Sequence, residues 1–308
     1  MTTAADSAIP RSPAHTRHRI FSGARVWALA TNTLTELVRL KVFYFLLIFA
    51  LLLIGSSAFL IRFSFQDQFQ MLKDLSLGAM SIFTSLLAIL ATAGLLPKDI
   101  EDRTLYTILA KPVSRLEYLL GKLLGVLLLL FITIALMGAV FVVVLGWRVH
   151  VVSGEILAGG GSAEVIQQQL HDLKATAFNS NLWAGAAVIY AKGCLLAALT
   201  LFVSTFASSS IFTVIVVGNI YFIGHMQATA REYWQVPGVV AGTGLLTKAF
   251  LAVVSIVFPD LQAFNLVDEI VVGTSIATWL LVKTLGLGLM YCLIYLLAAF
   301  FVFSAKEI

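Results

Sequence analysis

Six runs of apolar residues, each close to the length needed to cross a lipid bilayer, constrain this chain more than any other feature. A hydrocarbon core about 30 Å thick is spanned by about 20 residues of α-helix. The runs cover residues 42–61, 77–96, 123–147, 182–206, 211–226 and 280–303. Of the 308 residues, 60% are hydrophobic and only 12% are charged, whereas a soluble domain carries about 25% charged residues. The sequence therefore predicts an all-α membrane protein.

A seventh apolar stretch, residues 236–258, leaves two interpretations open. It contains Lys248, Pro237 and three glycines. It is either a further span or a re-entrant element, which is tolerated where surrounding protein buries it. The charge and the glycines favour a broken helix. We therefore expect six transmembrane helices with a re-entrant element before the last span.

The positive charges are concentrated in two segments. Residues 1–42 carry six Lys and Arg and residues 97–122 carry five, whereas each of the other long loops carries two. Because cytoplasmic loops are enriched in Lys and Arg, both segments are expected on the cytoplasmic side. Six spans then return the C-terminus to the cytoplasm, whereas seven would place it outside.

The region before the first span divides into two parts. Residues 1–21 are polar and predict a disordered cytosolic tail without an apolar signal-peptide core. Residues 22–41 place apolar side chains at helical spacing, which predicts an amphipathic helix at the membrane interface. No soluble domain follows, so residues 22–308 are expected to form one transmembrane domain.

The loop of residues 97–122 encodes a short helix, a break and a second helix. Residues 103–110 favour a helix, and Pro112 ends it because the residue before a proline avoids the α conformation. Ser114 and Glu117 then form a capping box that starts the next helix. The apolar side chains of the short helix share one face: Leu105, Ile108 and Leu109. From periodicity alone this helix either docks on a partner or rests on the lipid surface.

Two lysines stand inside or beside apolar runs and are candidate lumen or buried charges. Lys192 lies near the middle of the run 182–206, where a charge costs about 2.5–3.5 kcal/mol. Such residues face a bundle interior or a cavity, so Lys192 contacts either an acidic substrate or a structural partner. Lys283 lies at the beginning of the last run, near the outer end of that span, and either extends toward the interface or pairs with a nearby carboxylate.

No catalytic or metal-binding motif is present. Gly121 and Lys122 do not form a phosphate-binding P-loop, because Leu116 and Leu123 occupy the positions of its first glycine and its hydroxyl residue. The two cysteines both lie in apolar runs and support neither a disulfide framework nor a metal site. We therefore expect a protein that is not an enzyme and that binds no cofactor, metal or nucleic acid.

Residues 101–122, EDRTLYTILAKPVSRLEYLLGK, resemble the first cytoplasmic loop of type-2 ABC exporter permeases, especially the NosY-like branch. The segment TELVRLKVFYFLL, residues 35–47, resembles that family's entry into its first span. The positions that match the loop pattern are Glu101, Arg103, Thr104, Leu105, Leu109, Pro112, Val113, Ser114, Arg115, Tyr118, Leu119, Leu120, Gly121 and Lys122.

The resemblance implies that the loop contains a coupling helix, which docks on a separate ATPase subunit. It implies two ATPase copies, which hold ATP and Mg²⁺, and a second permease that is either an identical or a sister chain. It also implies a bacterial inner membrane with both termini cytoplasmic, and leaves a periplasmic companion open. The residues assigned to coupling are Glu101, Arg103, Thr104, Leu105, Ile108, Leu109, Pro112 and Arg115.

Two other functions stay open. The chain is alternatively an ion-coupled secondary transporter that uses Lys192, or a membrane scaffold that transports nothing. Charge reversal in the 98–125 loop distinguishes them, because it uncouples an ATPase only under the first interpretation. The transported substrate cannot be read from the sequence.

Overall fold

The computed structural model describes residues 21–57, 65–102, 113–178, 181–235, 258–265 and 277–305, with backbone only for 65–67 and 228–235. These residues form helices and no strand. The predicted tail, most of the predicted coupling helix and nearly all of the predicted re-entrant element lie outside this part. The α-helices are α1 (Gly23–Val38), α2 (Lys41–Ser56), α3 (Phe65–Ala93), α4 (Leu95–Glu101), α5 (Arg115–Ala158), α6 (Ala163–Ala177), α7 (Asn181–Phe206), α8 (Ser210–Gln235) and α9 (Thr278–Ala305).

Five stretches of the described chain are long and apolar enough to cross a membrane. They are Gln68–Glu101, Arg115–Ala158, Ala163–Phe206, Ser210–Gln227 and Thr278–Ala305. A sixth is obtained if α1 and α2, which meet at an angle of 69°, are taken as one bent span. The chain is therefore an all-α membrane protein, as its apolar runs predict.

The bend between α1 and α2 separates an amphipathic helix from an apolar one. Leu40, at the junction, has an extended backbone (φ −69°, ψ 130°) that interrupts the helical hydrogen bonding. The predicted helix over residues 22–41 is present as α1, and its buried residues include Val26, Ala30 and Leu37 at helical spacing. Helix α1 packs along α5, so it is part of the helical bundle as well as an amphipathic element.

Helix α7 occupies the centre of the bundle. It contacts α3, α5, α8 and α9, and its residues 195–201 are all buried. Close approach is possible because small residues face the neighbours: a Cβ placed on Gly193 would lie 2.9 Å from Cγ2 of Thr84 on α3. The outer helices instead expose large apolar side chains, as expected for surfaces that face lipid or another membrane protein. Examples are Phe45, Ile48, Leu52, Ile211, Ile215, Phe222, Leu289, Leu293, Leu297 and Phe301.

One end of the bundle, here named the charged end, gathers the beginnings of α1 and α5 and the end of α9. The backbone N–H of Ser22 donates to Glu117, and the Arg115 guanidinium donates to the carbonyls of Phe303 (2.9 Å) and Ser304 (2.8 Å). Ser210, which begins α8, also lies here, because its hydroxyl is 3.6 Å from a Cβ placed on Gly94.

The opposite end, here named the far end, carries α6. Helix α5 has 44 residues and is about 66 Å long, so it extends well past the hydrocarbon core on this side. Buried Lys73 of α3 donates to the Thr176 carbonyl at the end of α6, and Arg148 donates to Gln68 (2.7 Å). The Lys73 contact holds α6 against the bundle, because it satisfies a carbonyl that the helix end leaves free, and the Arg148 contact joins α5 to α3.

Candidate functional site

The loop that the sequence singles out is supported by two helices of the charged end. Helix α4 leads into it and ends at Glu101, and α5 leaves it from Arg115. Glu101 is exposed and Arg115 is partly buried. The other residues assigned to coupling lie outside the described residues: Arg103, Thr104, Leu105, Ile108, Leu109 and Pro112.

The predicted capping box at the start of α5 is confirmed. The Ser114 hydroxyl accepts from the backbone N–H of Glu117 (3.2 Å), and the Glu117 carboxylate accepts from the backbone N–H of Ser114 (2.9 Å). The same carboxylate is fully buried, accepts from the backbone N–H of Ser22, and pairs with Arg25 at 2.8 Å. Glu117 therefore fixes the start of α5 and attaches α1 to it. The sequence pattern predicts only the first of these roles.

A buried ion pair joins the two helices that support the loop. The Lys122 ammonium of α5 lies 2.8 Å from the Asp99 carboxylate of α4, and both side chains are almost inaccessible, at 4% and 11% exposed. The Tyr118 hydroxyl, one turn before Lys122, donates to the same carboxylate. Because a buried charge without a partner is costly, Asp99 and Lys122 keep the two helices in one relative position.

Glu36 of α1 extends this network. Its carboxylate lies 2.9 Å from the ammonium of Lys98 and 3.6 Å from that of Lys122. Thr33 and Glu36 match a capping-box pattern in the sequence, but α1 begins at Gly23, so these residues lie in its middle. The network of Glu36, Lys98, Asp99, Tyr118 and Lys122 is here named the ion-paired base of the loop.

Two glycines of α5 make room for α1 beside this base. A Cβ placed on Gly121 would lie 2.5 Å from Cβ of Leu29, and one on Gly125 would lie 2.8 Å from the carbonyl oxygen of Ala30. The spacing of four residues places both glycines on one face of α5. This Gly-x-x-x-Gly pattern, which is typical of close helix contacts, is the surface on which α1 packs.

Arg115 connects the base to the last helix. Its guanidinium donates to the final carbonyls of α9 and lies 5.9 Å from the ring centroid of Phe303. The ring of Tyr118 stacks on the same phenylalanine at a centroid distance of 5.9 Å. Since cations at a helix C-terminus stabilise its free carbonyls, the end of α9 is held to the start of α5.

Lys192 forms a second polar cluster, in the middle of the bundle. The side chain is buried, and its ammonium donates to Ser81 Oγ of α3 (3.3 Å) and to His225 Nε2 of α8 (3.1 Å). Because His225 Nδ1 lies 3.1 Å from the Tyr221 carbonyl, which can only accept, Nδ1 carries the proton and Nε2 is free to accept. The ammonium also lies 5.5 Å from the ring centroid of Tyr221. No carboxylate of the described residues forms an ion pair with it.

Lys283 differs from Lys192 in its surroundings. Its side chain is exposed, and its ammonium lies 5.1 Å from the ring centroid of Trp279 on the preceding turn of α9. Of the two lysines singled out by the sequence, the described structure thus buries only Lys192. Among the described residues no group of three or more His, Cys, Asp or Glu is placed to hold a metal ion.

No model of a known protein family and no curated protein matches this chain. What the chain does must therefore be inferred from its own residues, above all from the ion-paired base and the Lys192 cluster.

Proposed function

We propose that this chain is the transmembrane permease subunit of an ATP-driven ABC transporter, in which residues 101–110 dock on a separate ATPase and receive its movement. The observation that carries the proposal is the ion-paired base. The loop that resembles a coupling loop leaves and re-enters the bundle through two helices that a buried Asp99–Lys122 pair joins.

A loop that transmits movement must be attached to something stiff. If α4 and α5 moved independently, displacement of the loop would only separate them, and no work would reach the spans. The ion-paired base prevents this, because separating buried Asp99 from Lys122 leaves the Asp99 carboxylate without a charged partner and leaves Lys122 with Glu36 alone, at 3.6 Å. Glu117 and Arg115, which precede the base on α5, hold α1 and the end of α9. A push on the loop therefore acts on four helices together.

The proposed topology has six spans, with both termini at the charged end. Ser22 and Ser304 are both held there, by Glu117 and Arg115. Residues 258–265 pack on α8 at Gly224, through a 3.1 Å hydrogen bond from Leu261 N–H to the Gly224 carbonyl. Gly224 is about 21 Å along α8 from Ser210. Because α8 begins and α9 ends at the charged end, residues 236–277 start and finish away from it, which favours a re-entrant element over a seventh span.

The charged end faces the cytoplasm in this proposal. Arg25, Lys98, Arg115 and Lys122 lie there, and such residues are retained on the cytoplasmic side. The partners are two ATPase subunits that bind ATP and Mg²⁺, and a second permease that is an identical or a sister chain, in a bacterial inner membrane. In this proposal the chain itself does not hydrolyse ATP. ATP shifts the transporter complex between two conformations only because it binds one of them more tightly than the other.

Charge reversal next to the loop tests the proposal. Glu101→Lys changes an exposed residue at the end of α4, and Glu164→Lys is a matched change of an exposed residue on α6 at the far end. We expect Glu101→Lys to weaken co-purification with the cognate ATPase and to abolish stimulation of its ATP hydrolysis, with Glu164→Lys unchanged. Substrate transport by the purified chain without any nucleotide-binding partner would contradict the proposal.

A second candidate, an ion-coupled secondary transporter, is favoured by one observation. The Lys192 ammonium is buried with only neutral partners among the described residues, an arrangement typical of charges that take part in transport. This candidate predicts transport driven by an ion gradient, lost in Lys192→Met and unaffected by Glu101→Lys. The ABC candidate predicts that Glu101→Lys abolishes transport.

A further inference from the structure

A groove opens beside the bend between α1 and α2. Because α1 turns away at 69°, the first turn of α2 does not pack fully on α3, and a space of about 190 Å³ remains. Most of the side chains around it are apolar, and its polar residues are Glu36 and Lys98. The lining residues are Glu36, Leu37, Leu40, Val42, Phe43, Leu87, Leu90, Ala91, Gly94, Leu95, Lys98 and Leu129.

The groove lies where polar and apolar parts of the chain meet. Amphipathic α1 and apolar α2 join at Leu40, which lines the groove, so one end of the groove is at the level of an interface and the other at the level of hydrocarbon. The exposed pair of Lys98 and Glu36 lies on the interfacial side. A ligand that fits is polar at one end and aliphatic at the other.

Two cations beside the groove determine which charge the polar end of a ligand should carry. Arg39 and Lys41 flank Leu40, and both are exposed. Within the described chain neither forms an ion pair, whereas the neighbouring Lys98 is neutralised by Glu36. The rim therefore presents two uncompensated positive charges next to an apolar cleft, and an anionic head group complements them.

We propose that this groove binds one anionic phospholipid of the surrounding bilayer, with part of an acyl chain beside Val42, Leu87 and Leu90 and the phosphate near Arg39 and Lys41. The volume is consistent with this assignment. A cavity of about 150 Å³ accommodates benzene, so the groove holds a few methylene groups of a lipid and not a whole acyl chain. The rest of the lipid stays in the bilayer.

The site also has a structural consequence. The acyl chain fills the space left between α2 and α3 beside the bend, and the head group draws Arg39 and Lys41 toward the interface. The bound lipid thus stabilises the bend, and with it the position of α1 against the ion-paired base. This inference does not depend on the proposed transport function.

The experiment uses the full chain, purified in a mild detergent and depleted of lipid. The probes are phosphatidylglycerol, phosphatidylcholine with the same acyl chains, and glycerol phosphate, which has no acyl chain. Native mass spectrometry measures the bound lipid, and thermal unfolding measures the stabilisation. We expect one phosphatidylglycerol per chain bound in preference to phosphatidylcholine, and no stabilisation by glycerol phosphate.

Three variants separate the two parts of the site. Arg39→Gln with Lys41→Gln removes both charges, and we expect it to reduce the preference for phosphatidylglycerol about 25-fold, since each cation near an anionic surface contributes about fivefold. Val42→Trp fills the groove from a half-exposed position and removes binding of both lipids. Val142→Trp, at a similarly exposed position on α5 outside the groove, is the matched control and leaves binding unchanged.

Three results would overturn the proposal. Equal binding of the two phospholipids by the unaltered protein would show that Arg39 and Lys41 do not select an anionic head group. Unchanged binding in Val42→Trp would show that the lipid lies elsewhere. Stabilisation by glycerol phosphate equal to that by phosphatidylglycerol would show a site for free phosphate instead of a lipid.

Discussion

Replacing Lys122 by methionine tests whether the ion-paired base is the rigid support of the loop. Methionine keeps the length and the apolar part of the side chain but removes the ammonium that lies 2.8 Å from Asp99. The Asp99 carboxylate, 11% exposed, then keeps the Tyr118 hydroxyl as a donor but loses its charged partner. We expect a large loss of stability with no change of fold.

The magnitude follows from burial. Removing one member of a buried ion pair costs about 3–5 kcal/mol, because the remaining charge is left without compensation. Asp99 keeps some access to water, so we expect about 3 kcal/mol for Lys122→Met. Asp99→Asn is expected to cost about 2 kcal/mol, since Lys122 retains Glu36 at 3.6 Å. The double variant leaves no buried charge on either side and should cost about 2 kcal/mol, giving a coupling energy of about 3 kcal/mol.

The assay is reversible unfolding in mixed micelles, followed by tryptophan fluorescence. Lys98→Met is the matched control, because Lys98 is 51% exposed and its pair with Glu36 is expected to contribute at most about 1 kcal/mol. If Lys122→Met and Lys98→Met cost the same, or if the two changes at positions 99 and 122 simply add, the pair does not join the helices. In the proposed transporter, Lys122→Met also lowers ATPase stimulation, and the double variant recovers part of it.

Three further changes address other parts of the structure. Gly125→Ala is expected to lower the free energy of unfolding by about 1–3 kcal/mol, because the added Cβ collides with the α1 backbone. The control is Gly146→Ala on the same helix, whose Cβ meets nothing within 4 Å and should not destabilise the protein. Unfolding in micelles compares the two variants, and equal effects would contradict the packing of α1. Glu117→Ala is expected to release α1, seen as faster amide hydrogen exchange over residues 23–38, and unchanged exchange would contradict the double role of Glu117. Lys192→Met should leave the free energy of unfolding unchanged or raise it, because it removes a buried charge that has no charged partner among the described residues. A decrease of more than about 2 kcal/mol in the same unfolding assay would contradict this.

The apolar runs predict most of the fold. Each predicted span contains or overlaps a helix of the structure, because a run of about 20 apolar residues has one stable form in a bilayer. The capping box at Ser114 and Glu117 is also predictable, since it depends on residues three apart. Helix lengths are less predictable: α5 has 44 residues although the run has 25. The capping box starts the helix at Arg115, before the run begins, and nothing in residues 148–158 stops it after the run ends.

The ion-paired base is not predictable from local sequence. Glu36, Asp99 and Lys122 come from three separate helices, and each has the pattern of an ordinary surface charge near a span. Only packing shows that Asp99 and Lys122 are buried together, because Gly121 and Gly125 allow α1 to cover them. One signal was present: the charged residues lie just beyond the ends of two adjacent spans, where oppositely charged side chains meet if the spans are antiparallel neighbours.

The two polar clusters differ in a way that suggests where the bundle changes shape. At the charged end two ion pairs with N–O distances of 2.8 Å, Arg25–Glu117 and Lys122–Asp99, join helices, and a buried pair of this kind is costly to separate. In the middle, Lys192 joins α3, α7 and α8 through two neutral partners at 3.1–3.3 Å, and exchanging such partners costs less. A force applied at the loop would then move the charged end as one body. In the proposed transporter we therefore expect the contacts of Lys192 to rearrange first, so that the change of state occurs in the middle of the membrane and not at the loop.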